Sequence, residues 1–277
     1  MTETLGAEHQ DTLIAVDNLG KVMSRYFFWD KAKDLHLRAF NGMKRTLGRT
    51  HLHTLQAMEH LALSHMYLGD LELAHEFAKE VLEGREKKVG KEHPYTLMAN
   101  LTMARIKSAR NETDDAENII RTGLPVGERN LGDNHLGVLL ARTFLAEVLM
   151  KQQRYGEAEQ ILNSVIQRHR YEGSRREDGE HVDRIQALWF MLKCYQSQGK
   201  IEKAIQIGDE LWEGVHTIGG EGLGPQHIFA KLLEAKREDL LAVRRDSAVE
   251  LNSSPVSLDN KSTDASSPGP MAKSRTF

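Results

Sequence analysis

The feature that most constrains the fold is a short motif that returns at a fixed distance along the chain. Its fullest copy is residues 47–55, Leu-Gly-Arg-Thr-His-Leu-His-Thr-Leu. The motif histidines lie 42 residues apart in the first four copies and 46 apart in the last two: His9, His51, His93, His135, His181 and His227. Alanines follow the same step, at Ala32, Ala74, Ala116, Ala158 and Ala204. Two independent markers that keep one period indicate an array of structural repeats.

Each repeat is predicted to contain two helices. In the second copy, apolar residues between Thr54 and Tyr67 follow helical spacing, and Gly69-Asp70 then breaks the pattern. A second amphipathic stretch begins at Leu71 and ends near Lys88. The third repeat departs from this pattern because Pro125 lies within its second stretch, so we expect a kink or an early helix end there.

The repeats resemble the tetratricopeptide repeat. The residues that carry the resemblance are Leu61-Ala62, Gly69-Asp70-Leu71 and Ala74, and then Leu145-Ala146, Tyr155 and Ala158. The common tetratricopeptide period is 34 residues, and the longer step here, with its Leu-Gly-x-x-His-x-x-Thr linker, is similar to the kinesin-light-chain type. Similar arrays also form the sensor ends of fungal nucleotide-switch receptors. The resemblance implies an all-α, right-handed superhelical solenoid of about five helix pairs plus a C-terminal capping helix.

We expect this solenoid to occupy residues 1–250 and a disordered, Ser/Pro-rich tail to occupy 251–277. The predicted repeats are residues 5–46, 47–88, 89–130, 131–176 and 177–222, followed by a half-repeat at 223–250. A polar face on the final helix is what a solenoid end needs to stay soluble.

Bulk properties exclude several classes of protein. The net charge of −3 argues against a nucleic-acid binder and against a polybasic membrane anchor. Residues Met1 to Gly6 lack a signal-peptide pattern, and no run of 18 apolar residues predicts a membrane span. The single cysteine, Cys194, fits a reducing compartment. We therefore expect a cytoplasmic protein, with the nucleus as the alternative.

No motif for catalysis, cofactor binding or metal binding is evident. The linker histidines are one repeat apart and cannot share a zinc ion, so we expect each to brace a helix start through its ring. Cys194 is expected to be a buried apolar filler. We therefore predict no catalytic residue, no cofactor and no metal, and a protein that is not an enzyme.

In tetratricopeptide arrays the first helices line a concave surface that binds peptides, and the resemblance implies the same here. The register selects these groove residues: Asn18, Lys21, Arg25, His60, Tyr67, Arg105, Phe144, Glu147, Lys151, Trp189, Phe190 and Lys193. Aromatic and arginine side chains are enriched where binding energy concentrates. Alternatively, Phe144, Trp189 and Phe190 pack against neighbouring helices.

The predicted function is a non-catalytic scaffold or adaptor that binds a protein or a peptide, acidic or apolar, in this groove. Two alternatives remain open. The chain could be an accessory protein of an enzyme or biosynthetic pathway, or the detached sensor region of a nucleotide-switch receptor.

Overall fold

The structure is a computed structural model that describes residues 5–173, 182–217, 233–236 and 238–242. All regular secondary structure in these ranges is helical. The ten helices are α1 (Gln10–Arg25), α2 (Trp29–Thr46), α3 (Leu52–Tyr67), α4 (Leu71–Val89), α5 (Pro94–Ala109), α6 (Thr113–Leu131), α7 (Leu136–Lys151), α8 (Tyr155–Gly173), α9 (Val182–Ser197) and α10 (Ile201–Thr217). The predicted tail, 251–277, lies outside the described residues.

The helices are arranged as consecutive pairs packed in a row. Each helix contacts the next one in sequence, and the first helices of successive pairs (α1, α3, α5, α7 and α9) also contact one another. The expected all-α solenoid of helix pairs is therefore confirmed. We call the surface formed by these five helices the first-helix face.

Of the half-repeat expected to form the capping helix, the structure describes residues 233–236 and 238–242, and both segments are helical. Leu233 and Leu240 are buried there, in the same apolar cluster as residues of α9 and α10. This packing places the described segment against the end of the array.

The linker motif is explained by one backbone conformation and two hydrogen bonds. Gly48 has a φ of +90°, which L residues with a side chain rarely adopt. The Thr54 hydroxyl donates to the Gly48 carbonyl at 2.8 Å, and the His51 Nδ1 accepts from the His53 amide at 3.3 Å. His51, in an extended backbone conformation, therefore caps the start of α3 in place of the usual serine or aspartate.

The expectation that linker histidines brace helix starts is confirmed for the four that the structure describes. In each, Nδ1 accepts a hydrogen bond from the backbone amide two residues ahead: His9, His51, His93 and His135. His181 and His227 lie outside the described residues.

The prediction of an early helix end near Pro125 is wrong. Helix α6 continues from Thr113 to Leu131 with Pro125 inside it. A proline removes one backbone hydrogen bond at a cost of about 3 kcal/mol, which the packing of α6 against α5 and α7 outweighs. Gly123 and Gly127 leave an apolar cavity of about 280 Å³ beside it.

None of the helices in the described ranges is both long enough and apolar enough to cross a membrane.

Candidate functional site

A pocket on the first-helix face brings together five of the predicted groove residues. It has a volume of about 210 Å³ and lies where the ends of α3, α5 and α7 approach one another. The predicted residues that line it are Tyr67, Arg105, Phe144, Glu147 and Lys151. We call it the central pocket.

Arg105 organises this pocket through contacts in two directions. Its Nη2 donates to the Tyr67 hydroxyl at 2.6 Å, and its guanidinium carbon lies 4.2 Å from the centre of the Phe144 ring. Tyr67 in turn stacks on Trp29, with ring centres 3.8 Å apart and planes 11° apart. Contacts of a cation with an aromatic face contribute about 0.5–2 kcal/mol. The four side chains form a continuous ladder across four repeats.

The ladder residues differ in how much surface they expose. Tyr67 is 44% exposed, whereas Phe144 is 4% exposed and belongs to the main apolar cluster. Phe144 therefore packs against neighbouring helices, as the alternative interpretation of the sequence predicted. Its ring also forms part of the pocket wall.

Two cations at the central pocket have no carboxylate partner among the described residues. Arg105 takes part in no ion pair, and the Lys151 ammonium donates instead to the Ser108 carbonyl at 2.8 Å. Arg121 on α6 and Arg154 in the turn before α8 behave differently, because both pair with Glu117. The pocket therefore has positive charge available for an anionic group, with Glu147 as its one acidic lining residue.

The remaining predicted residues lie at the two ends of the first-helix face. Asn18 and Lys21 are exposed on α1, while nothing is described of the Arg25 side chain. On α9, the exposed Lys193 ammonium lies 5.2 Å from the Trp189 ring centre. Phe190 is 9% exposed and belongs to the apolar cluster, so little of its ring reaches solvent.

His60 is engaged within the protein. Its Nδ1 lies 2.9 Å from Oδ2 of Asp17, and the Nδ1 of His36 lies 2.7 Å from Oδ1 of the same carboxylate. Burial raises the pKa of Asp17, but the two imidazole hydrogen bonds outweigh it, and the pKa of this carboxyl lies far below its usual value. Burial lowers the pKa of His36. The sequence analysis did not identify this cluster, because its members lie on three helices and outside the repeating motif.

The junction between the second and third repeats has a similar connection that is made by different side chains. Glu59, 42 residues after Asp17, accepts from the Thr102 hydroxyl at 2.9 Å. It also accepts from Arg85 Nη2 at 2.8 Å, in a buried ion pair. A buried acid on one first helix is thus joined to the next first helix at both of these junctions.

These features define a class of protein, the helix-pair solenoid with one capped linker per repeat. The sequence profile of the family described as tetratricopeptide repeat matches residues 54–95, a span of one 42-residue repeat. One repeat of the chain therefore matches the tetratricopeptide-repeat family, and solved kinesin-light-chain-type repeat proteins are among the structures that share its fold. No curated protein matches it by sequence.

Solved structures share the fold. A kinesin-light-chain-type protein with TPR-like repeats from Podosopora anserina aligns with a TM-score of 0.53 and 20% identity over 75% of this chain and 96% of its own. BtubC from P. vanneervenii aligns with a TM-score of 0.54 and 14% identity, over 96% of this chain and 89% of its own. The structure of NprR in complex with its cognate peptide NprX aligns with a TM-score of 0.62 and 15% identity, over 86% of this chain and 62% of its own. NprR is a quorum sensor that was also solved in its apo form, from B. thuringiensis.

Proposed function

We propose that the chain is a non-catalytic interaction scaffold that binds a peptide, or an extended segment of a partner protein, along its first-helix face. The observation that carries this proposal is the central pocket, where Arg105 and Lys151 lie beside Tyr67 and Phe144 with no carboxylate partner in the described part of the chain. Aromatic and arginine side chains at the centre of a contact surface supply most of the binding energy in known interfaces.

The chemistry of the pocket favours a ligand with an acidic side chain next to a large apolar one. The carboxylate would approach the Arg105 and Lys151 cations, and the apolar group would enter beside the Phe144 ring. Such charge-assisted hydrogen bonds are about twice as strong as neutral ones. Lys21 at one end and Lys193 at the other extend the positive character of this face. With a net charge of −3 over the whole chain, we propose a protein partner and not a nucleic acid.

The likeness to NprR supports this proposal at the level of the fold, since that protein was solved with a peptide ligand and this chain spans 62% of its length. The identity of 15% carries over no individual residue role.

The proposal is tested by selecting binders to the immobilised full chain from a random peptide library. We expect enriched sequences to combine acidic and aromatic residues and to lose binding to an Arg105→Ala variant. The matched control is Arg129→Ala, because Arg129 is 62% exposed and pairs with Glu92 on the opposite, linker side of the repeat. Selected peptides that bind both variants equally would contradict the assignment of the pocket.

A further inference from the structure

We propose that Asp17, His36 and His60 form a binding site for a zinc ion at the junction of the first two repeats. Each residue offers one ligand atom, and these three atoms lie within 4.8 Å of one another. They come from three consecutive helices, α1, α2 and α3. An ion there would link the first repeat to the second, independently of any ligand at the central pocket.

The ligand atoms already lie close together. The two Nδ1 atoms lie 2.7 and 2.9 Å from the two oxygens of the Asp17 carboxylate. Zinc bonds to nitrogen and oxygen are about 2.0–2.2 Å long, so tetrahedral ligand atoms lie about 3.4 Å apart. The three ligand atoms now spread over as much as 4.8 Å, so side-chain shifts of about an ångström would convert the hydrogen-bonded cluster into a coordinated one.

The solenoid framework does not require these residues, because other repeats use different side chains in the same register. The residues that follow His36 at steps of 42 are Ala78, Ile120 and Leu162, all buried and apolar. The residue that follows His60 is Thr102. The ligand set is thus specific to the first junction.

Gly20 makes room for the His36 ring. A Cβ built on Gly20 would lie 2.6 Å from His36 Cε1, which is closer than real contacts allow. The equivalent positions in the next three repeats carry alanine, namely Ala62, Ala104 and Ala146. The first repeat therefore combines a smaller residue on α1 with a polar ring on α2.

The charge balance of the two junctions also differs. Glu59 is buried with the Arg85 guanidinium as its permanent countercharge. Asp17 is buried with two imidazoles, and no lysine or arginine of the described residues pairs with it. The Lys21 ammonium also acts on this cluster, because its charge lowers the pKa of His36. A divalent cation would supply the countercharge that Asp17 lacks.

Coordination through Nδ1 requires the neutral imidazole to carry its proton on Nε2, so both rings would change tautomer on binding. Two histidines and one carboxylate leave the fourth position of zinc to water, as sites with three protein ligands do. His60, whose side chain is 16% exposed, is the member nearest to solvent.

The test is a titration of the chelator-treated full chain with zinc chloride against a chromophoric competitor, together with visible absorption after addition of cobalt(II). We expect one zinc per chain, a rise in melting temperature, and the intense cobalt absorption of a four-coordinate site. The variants Asp17→Asn and His60→Gln should each lose at least tenfold in zinc affinity. His53→Gln is the control, because His53 belongs to a different histidine pair, whose rings are 5.5 Å apart.

Two results would overturn the proposal: no zinc bound by the wild type, or affinity retained by both cluster variants while His53→Gln loses it. If Asp17→Asn fails to fold, as circular dichroism without metal would show, His60→Gln still decides the question because its ring is partly exposed. Peptide binding at the central pocket is measured separately, so either proposal can fail without deciding the other.

Discussion

The ring of His36 lies against Gly20, where the next three repeats carry an alanine methyl group. Three of its ring atoms lie 2.6, 2.7 and 3.0 Å from where a Cβ on Gly20 would be. Because His36 is buried and hydrogen-bonded to Asp17, its ring has little freedom to move away.

We therefore predict that Gly20→Ala destabilises the protein by about 1–3 kcal/mol through overpacking. The sign should reverse in a His36→Ala background, where the added methyl has room and alanine gains about 1 kcal/mol of helix propensity over glycine. Urea denaturation of the four chains of this cycle provides the measurement. Equal effects of Gly20→Ala in both backgrounds would show that the ring does not set the size of this residue.

The buried pair between Glu59 and Arg85 should be costly to break. We predict that Glu59→Ala lowers the free energy of unfolding by about 3–5 kcal/mol, because it leaves the Arg85 guanidinium buried without its carboxylate. The control is Glu92→Ala, which removes the exposed partner of Arg129 and should cost at most about 1 kcal/mol. Similar costs for the two variants would mean that the Glu59 pair is effectively solvated.

The turn between α7 and α8 contains a residue in an unfavourable backbone conformation. Gln153 has a φ of +62°, at the point where the equivalent residues of two other repeats are Gly69 and Gly199. We predict that Gln153→Gly stabilises the chain by about 1 kcal/mol, since glycine adopts this region without strain. The neighbouring Gln152→Gly, at a φ of −82°, should instead be neutral or destabilising. A thermal melt that ranks the two variants in the opposite order would contradict this interpretation.

Cys194 should be chemically inert in the folded protein. Its side chain is fully buried, and burial raises the pKa of the thiol above its ordinary value. Because the thiolate is the reactive form, we expect alkylation by a maleimide at pH 8 to be slow and to become fast only in denaturant. Rapid labelling of the native chain would indicate that α9 opens locally.

The sequence predicted the repeats well because their period is carried by residues that each repeat needs for the same local reason. The described linker histidines cap helices and the in-register alanines are fully buried, so both kinds of residue recur. The path of α6 through Pro125 was not predicted, since packing by neighbouring helices decides it. The cluster of Asp17, His36 and His60 was missed for the opposite reason, because residues that occur in one repeat only leave no periodic signal.

The candidate site was predicted in part. Register selected five of the ten residues that line the central pocket. It did not reveal that Arg105 bridges Tyr67 and Phe144, nor that Trp29 continues the ladder, because these contacts depend on the rotation of one repeat against the next.

The central claim is that cations on the first-helix face serve recognition and contribute little to folding. The most direct measurement compares the affinity of Lys151→Glu/Lys193→Glu for a library-selected peptide with its free energy of unfolding. The control is Lys79→Glu/Lys87→Glu, which reverses two exposed lysines on α4. We predict at least a tenfold loss of affinity, about 1.4 kcal/mol, with a loss of stability near 1 kcal/mol for the hydrogen bond from Lys151 to Ser108. Unchanged affinity, or an equal loss in the control, would contradict the account.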